Sequence, residues 1–170
     1  MKVLGVDPGM ADTGWAVLEG GPQGARLSAS GIIRTAAGLP LPFRLREIHA
    51  ALAAVLAEHR PECMAIEELF FLKAAQSVRA TMQARGVILL AACQAQAPVH
   101  EYNPRQVKIS LTGSGAAEKP QMQKMVQAAL ALKEILRPDD VADAAAIGLC
   151  HLRASRHKAF KVLDRIGGRG

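Results

Sequence analysis

The hydrophobic period of this chain changes once, and that change limits the folds open to it. Over the first 35 residues the apolar positions come in three short runs, Lys2–Val6, Thr13–Leu18 and Ser28–Thr35, punctuated by Asp7-Pro8-Gly9 and by Gly20-Gly21-Pro22. Pro and Gly interrupt strands, so the runs predict three strands in an antiparallel meander. From Phe43 onward Leu45, Ile48, Leu52, Val55 and Leu56 fall three and four apart, which defines one face of a helix that Pro61 ends. A buried-strand run, Cys63-Met64-Ala65-Ile66, then stops at Glu67-Glu68. A long helix is expected from Ala74 to Gln96, and a last strand from Val99 to Tyr102. Three helices follow. The first has Asn103 as cap and Pro104 at its first position, and it ends at Gly113. The second opens at Lys119-Pro120 and reaches about Ile135, and the third opens at Pro138. Strands hairpinned first and then joined through helices predict an α/β fold with a five-stranded mixed sheet flanked by helices.

A chain of 170 residues suits one compact domain and needs no disulfides to bury a core. The folded domain is expected over residues 1–153, followed by a basic tail over 154–170 that ends in Gly167-Gly168-Arg169-Gly170 and is expected to be flexible. The formal net charge of +6 favours a polyanionic partner, most commonly nucleic acid. Cys63, Cys93 and Cys150 are odd in number, widely spaced and without a CxxC pair, which argues against a disulfide framework and against a zinc site. Cys63 and Cys93 lie in apolar stretches and read as small buried residues. With neither a secretory signal nor a bilayer-length apolar run, the chain is expected in the cytoplasm, away from membranes.

The placement of acids carries the chemistry. Asp7 directly follows one apolar strand and Glu67 another. Asp140 and Asp143 are three apart near the start of a helix and share a face. Carboxylates that interrupt apolar sequence are costly unless paired, and a hard divalent cation is a suitable partner. Two such cations roughly 3.5–4 Å apart can activate water and stabilise the leaving oxygen of a phosphodiester. Each acid also has a plainer reading. Asp7 can bond the Pro8-Gly9 turn, Asp140 can complement a helix dipole, and Glu67-Glu68 can be a solvated strand end. Asp143, set among Val141, Ala142, Ala144, Ala145, Ala146 and Ile147, is the hardest to read as solvated.

Six segments in this order resemble the RuvC family of Holliday-junction resolvases: GVDPG with TGWAV, MAIEELFF, ARGV, NPRQVK, AEKPQMQKMV and DDVADAAAIGLCH, together covering residues 1 to about 153. The resemblance implies a ribonuclease H-like fold and a homodimer making paired nicks in opposing strands of a four-way DNA junction. It also implies a branch-migration motor complex as partner and two Mg²⁺ or Mn²⁺ ions per active site. It matches Asp7, Glu67, Asp140 and Asp143 to the catalytic, metal-holding carboxylates, with Glu67 preferred to Glu68 because the family's acid follows the AI of its strand. Lys108 and Lys119 match basic residues near the scissile phosphate, and Phe70 matches an aromatic at the junction centre, where a ring can stack on a base. Arg79, Arg85, Arg105 and Lys124 are candidates to track phosphates, with solubilising charge as the plainer reading. The tail residues Arg153, Arg156, Lys158, Lys161 and Arg165 are candidates for nonspecific contact. His151, two helical turns beyond Asp143, is read as structural and left out of the site.

The long helix is expected to make the dimer contact, because Gly86, Val87, Leu89, Leu90 and Ala91 offer more apolar surface than one core face requires. Two other functions stay open on sequence: another ribonuclease H-like nuclease acting on RNA, and a noncatalytic junction-binding protein. Four carboxylates facing phosphate count against the second.

Overall fold

A computed structural model describes residues 1–21, 24–68 and 76–156. Its sheet has five strands in the order β3-β2-β1-β4-β5. Strands β1 (Lys2–Asp7), β2 (Asp12–Gly21) and β3 (Gly24–Arg34) form the expected antiparallel meander. After helix α1 (Leu41–His59), strand β4 (Cys63–Glu67) returns parallel to β1. After α2 (Gln76–Gln94), strand β5 (Val99–Tyr102) lies parallel to β4. Helices α3 (Pro104–Thr112), α4 (Lys119–Ala129) and α5 (Asp139–Arg156) complete the chain. Among the described residues, no helix is long and apolar enough to cross a membrane.

Alternation along the strands sorts side chains into two cores. Leu4, Val6, Met64 and Ile66 pack on the face shared with Ile48, Leu52, Ala84 and Ile88 from α1 and α2. Val3, Cys63, Ala65 and Tyr102 pack on the other face, against Ala144, Ala145 and Ile147 of α5. The same alternation decides where the acids point. Asp7 shares the face of Val3, and Glu67 shares the face of Cys63 and Ala65, so both turn toward α5. Val6 pairs with Ile66 across the parallel β1–β4 ladder, which makes Asp7 and Glu67 the next residues on adjoining strands.

Helix α5 can approach the sheet because small residues meet there. A Cβ on Gly5 would overlap the Ala144 carbonyl oxygen, and one on Gly14 would overlap that of Asp140. Gly5→Ala must therefore push α5 away or strain the strand. The expected cost in denaturant unfolding is ~1–3 kcal/mol or more, with loss of cleavage because the α5 acids move with the helix. Wild-type stability for this variant would show that the close approach is not needed.

Four sequence expectations are corrected. α1 begins at Leu41, not Phe43, so Pro42 occupies the first turn, where its missing N–H costs nothing. α4 ends at Ala129, well short of Ile135. Ala131 turns left-handed at φ 49°, so that Leu130 and Leu132 both join the α5-side core, and packing overrides a helix-favouring sequence. Cys63 and Cys150 are buried, but Cys93 is exposed. Ala91 and Ala92 take the core-facing positions of α2, and the helical rotation carries the next residue outward. Ala91 is likewise only 1% exposed, so it belongs to the core and not to a surface apolar stripe.

Candidate active site

The site forms where the C-terminal ends of β1 and β4 meet the first two turns of α5. The turn after β1 does not need the Asp7 carboxylate. Thr13, fully buried, donates its hydroxyl to the Gly9 carbonyl at 2.6 Å and accepts from the Gly9 N–H. The Asp7 carboxylate is thus not needed to hold the turn, which weakens the turn-residue reading.

The acids are close enough to perturb one another. Burial, followed by the charges of Glu67, Asp143 and Asp140, pushes the Asp7 pKa up to about 7 against the relief given by Lys119. Burial and then Asp143 raise the pKa of Glu67. Burial raises that of Asp143, with Asp140 and Asp139 adding to it and Lys119 opposing it. A carboxylate cluster whose members resist ionising together suits a divalent cation, which would relieve the mutual repulsion that the protein alone leaves. The donors are hard oxygens, as Mg²⁺ and Mn²⁺ require.

Glu67, Asp143, Lys108 and Lys119 line one groove of about 260 Å³. Lys119 opens α4, and its ammonium lies 3.5 Å from Asp143 and 3.2 Å from Asp139. Burial disfavours its charge, but the bonds to Asp139 and Asp143 outweigh that and raise its pKa. Lys108 comes from α3. That helix starts where expected, with Asn103 accepting from the Arg105 N–H and Gln106 completing a capping box. The cap aims α3 from the end of β5, so Lys108 faces the acids across the groove. Glu68, next to Glu67, is exposed.

Asp139 was not singled out from sequence. It receives hydrogen bonds from Gln123 and Arg137, each at 2.8 Å, as well as the Lys119 contact. Lys119, reaching both Asp139 and Asp143 across one helical turn, marks it, and that contact is made only in the folded chain. Its neighbour Asp140 contributes instead to the field at Asp7.

The other expected residues divide. Arg79, Arg105 and Lys124 are exposed and open to solvent. Arg85 is not a free surface cation. It donates to the Glu67 carbonyl at 3.2 Å and pairs with Glu101 at 2.6 Å, tying α2 to the ends of β4 and β5. Arg153 is engaged with the Ser110 carbonyl of α3. Phe70 lies outside the described residues, as do Lys158, Lys161 and Arg165, and the Arg156 side chain is outside them too. His151 is buried against Cys63 and Tyr102, two turns along α5 from Asp143.

The fold and its carboxylates define a metal-dependent nuclease of the ribonuclease H-like class. The family model described as crossover junction endodeoxyribonuclease RuvC matches residues 3–151. A crossover junction endodeoxyribonuclease RuvC from Syntrophomonas wolfei is 45% identical over 94% of this chain and 93% of its own length. The solved Thermus thermophilus RuvC structure superposes with a TM-score of 0.89 at 38% identity, covering 96% of this chain and 100% of that one. T. thermophilus RuvC solved in complex with a Holliday junction substrate superposes at 0.85 and 36% identity, covering 92% and 96%. The chain belongs to the RuvC family of crossover junction endodeoxyribonucleases.

Proposed function

We propose that this protein resolves four-way DNA junctions by paired nicks in opposing strands, during recombination and repair. The observation that carries the reading is that Glu67, Asp143 and Asp140 all bear electrostatically on Asp7, beside a groove that Glu67 and Asp143 line together with Lys108 and Lys119. Held by the four carboxylates, two Mg²⁺ or Mn²⁺ ions would supply an activated water and neutralise charge on the phosphate. The chain's own groups do the rest. Lys119, oriented by Asp139 and Asp143, and Lys108 hold the scissile phosphate and offset the charge that grows on its oxygens in the transition state. Exposed Arg79 and Arg105 track the flanking backbone, which makes binding fall steeply with salt. By its family match, Phe70 stacks at the junction centre.

Two strands need two sites, so the active species is a homodimer. Met82, Gly86 and Leu90 repeat every four residues and lie exposed along α2, while Ala84, Ile88 and Ala92 face the core. That stripe is the proposed dimer contact, and Leu90 is 50% exposed in the monomer. Leu90→Glu is expected to shift sedimentation from dimer to monomer at micromolar concentration without unfolding the chain. An unshifted dimer would place the contact elsewhere. The protein is further proposed to act in the cytoplasm with a branch-migration motor complex, through residues 1–153 as the nuclease domain and 154–170 as a basic extension.

The function is tested by incubating a mobile four-way junction with the protein in chelator, then adding Mg²⁺ or Mn²⁺. Cleavage only after addition supports the reading. Junction binding without cleavage in either metal would favour a noncatalytic binder.

A further inference from the structure

A second donor cluster lies on the same strand and helix as the acids, at the other end. Cys63 opens β4 four residues before Glu67, and His151 sits on α5 eight residues after Asp143. His100 pairs with Ala65 in the β4–β5 ladder and therefore faces α5 as Cys63 does. The Cys63 Sγ and one ring nitrogen from each histidine all lie within 4.8 Å of one another. Cys63 Sγ and His151 Nε2 are 3.2 Å apart, and the two imidazole rings are 4.4 Å between centroids. In a tetrahedral zinc site with ordinary bond lengths, sulfur and nitrogen ligands stand about 3.6 Å apart and two nitrogens about 3.3 Å. The 3.2 Å between Cys63 and His151 is near that spacing, and the 4.8 Å bound on the other pairs leaves all three donors within reach of one ion, whose fourth position would fall to water.

Tyr102 supplies an independent sign. Its hydroxyl lies 2.8 Å from His151 Nδ1. With Nδ1–H donating to that oxygen, the Nε2 lone pair faces Cys63. Metal-binding histidines are oriented in this way, by a bond from the nitrogen that does not ligate. We infer that Cys63, His100 and His151 form a second metal site, selective for a thiophilic ion such as Zn²⁺ and distinct from the acidic site. The soft sulfur and the two imidazoles favour Zn²⁺ over Mg²⁺ or Mn²⁺, while the acid cluster has the reverse preference. Burial holds the Cys63 thiol at a pKa of about 11, with Glu62 adding to the rise. Burial and then His100 lower the His151 pKa to about 4, so its ring is neutral. Binding therefore exchanges the Cys63 thiol proton for the ion. The ion ties β4, β5 and α5 together beneath the acids those elements carry. The wide cysteine spacing hid this arrangement, because its donors come from three separate elements.

The test uses the full chain, stripped of metal under reducing conditions and titrated with Co²⁺ in excess Mg²⁺, with Zn²⁺ added afterwards. One Co²⁺ per chain is expected, with a thiolate-to-cobalt charge-transfer band in the near ultraviolet that Zn²⁺ abolishes. Carboxylate-bound Co²⁺ gives no such band, so the acidic site does not interfere. Cys63→Ser and His100→Phe should lose the band, Tyr102→Phe should weaken Co²⁺ by ~10–100-fold, and the exposed Cys93→Ala should change nothing. His100 is only partly buried, which makes His100→Phe the variant safest for folding, and its far-ultraviolet dichroism is checked alongside. Absence of the band in the wild type would overturn the inference, as would a band that survives in both Cys63→Ser and folded His100→Phe.

Discussion

Asp7→Asn is expected to reduce junction cleavage by ~10²–10³-fold or more while making the metal-free protein more heat-stable at pH 8. The two effects share one cause. In the folded chain Asp7 titrates at about 7, against 3.8 for an unperturbed aspartate, because of burial and the neighbouring Glu67, Asp143 and Asp140. Between those values the folded protein keeps a proton that the unfolded chain has lost. Stability therefore falls as pH rises from about 4 to about 7, and the cost is complete above that. Glu67 and Asp143, raised in the same direction, add to it. In chelator, the wild-type melting temperature should decline from pH 5 to pH 8, and Asp7→Asn should flatten that decline. Mg²⁺ or Mn²⁺ should restore wild-type stability at pH 8 and do much less for the variant. Full cleavage by Asp7→Asn would remove Asp7 from the site. A pH-independent melting temperature would contradict the carboxylate repulsion.

Lys119→Met should also inactivate, with the opposite sign in stability. Lys119 bonds Asp139 and Asp143 and lowers the pKa of Asp7. Its removal takes positive charge from the scissile phosphate and from the acids at once. Turnover at saturating junction is expected to fall ~10²-fold, more than binding does, because the charge it offsets grows in the transition state. Metal-free stability at pH 8 should drop, where that of Asp7→Asn rises. Lys119→Arg keeps the charge on a longer, planar group, so it should recover the stability and only part of the rate. If Lys119→Met lost binding and turnover equally, the lysine would be a general phosphate contact and not a transition-state one.

The parts of this protein that were legible in its sequence are those fixed by neighbours in the chain. The apolar run of β1 stops at Asp7, that of β4 stops at Glu67, and the Asn103-Pro104 start of α3 follows from the local chemistry of a cap. Strand alternation then turns both acids toward α5, whereas Lys108, Lys119 and the choice of Glu67 over Glu68 rest on the resemblance to the RuvC family and not on local chemistry. What escaped depends on contacts between distant segments. Arg85 reads as a spare cation until β5 brings Glu101 beside it. Asp139 is indistinguishable from Asp140 until Lys119 and Gln123 arrive from α4. Thr13 looks like an ordinary strand residue, yet it fixes the turn that frees Asp7. The early end of α4 is set by where Leu130 and Leu132 find core, against the propensity of the segment itself.

The most direct measurement is cleavage by the wild-type protein, in Mg²⁺ and in Mn²⁺, of three substrates of matched sequence: a mobile four-way DNA junction, linear duplex DNA and an RNA–DNA hybrid. Symmetrically paired nicks confined to the junction, with ends that DNA ligase reseals, are the predicted result. Preferential cutting of the hybrid or of linear duplex, or junction binding with no nicks in either metal, would contradict it.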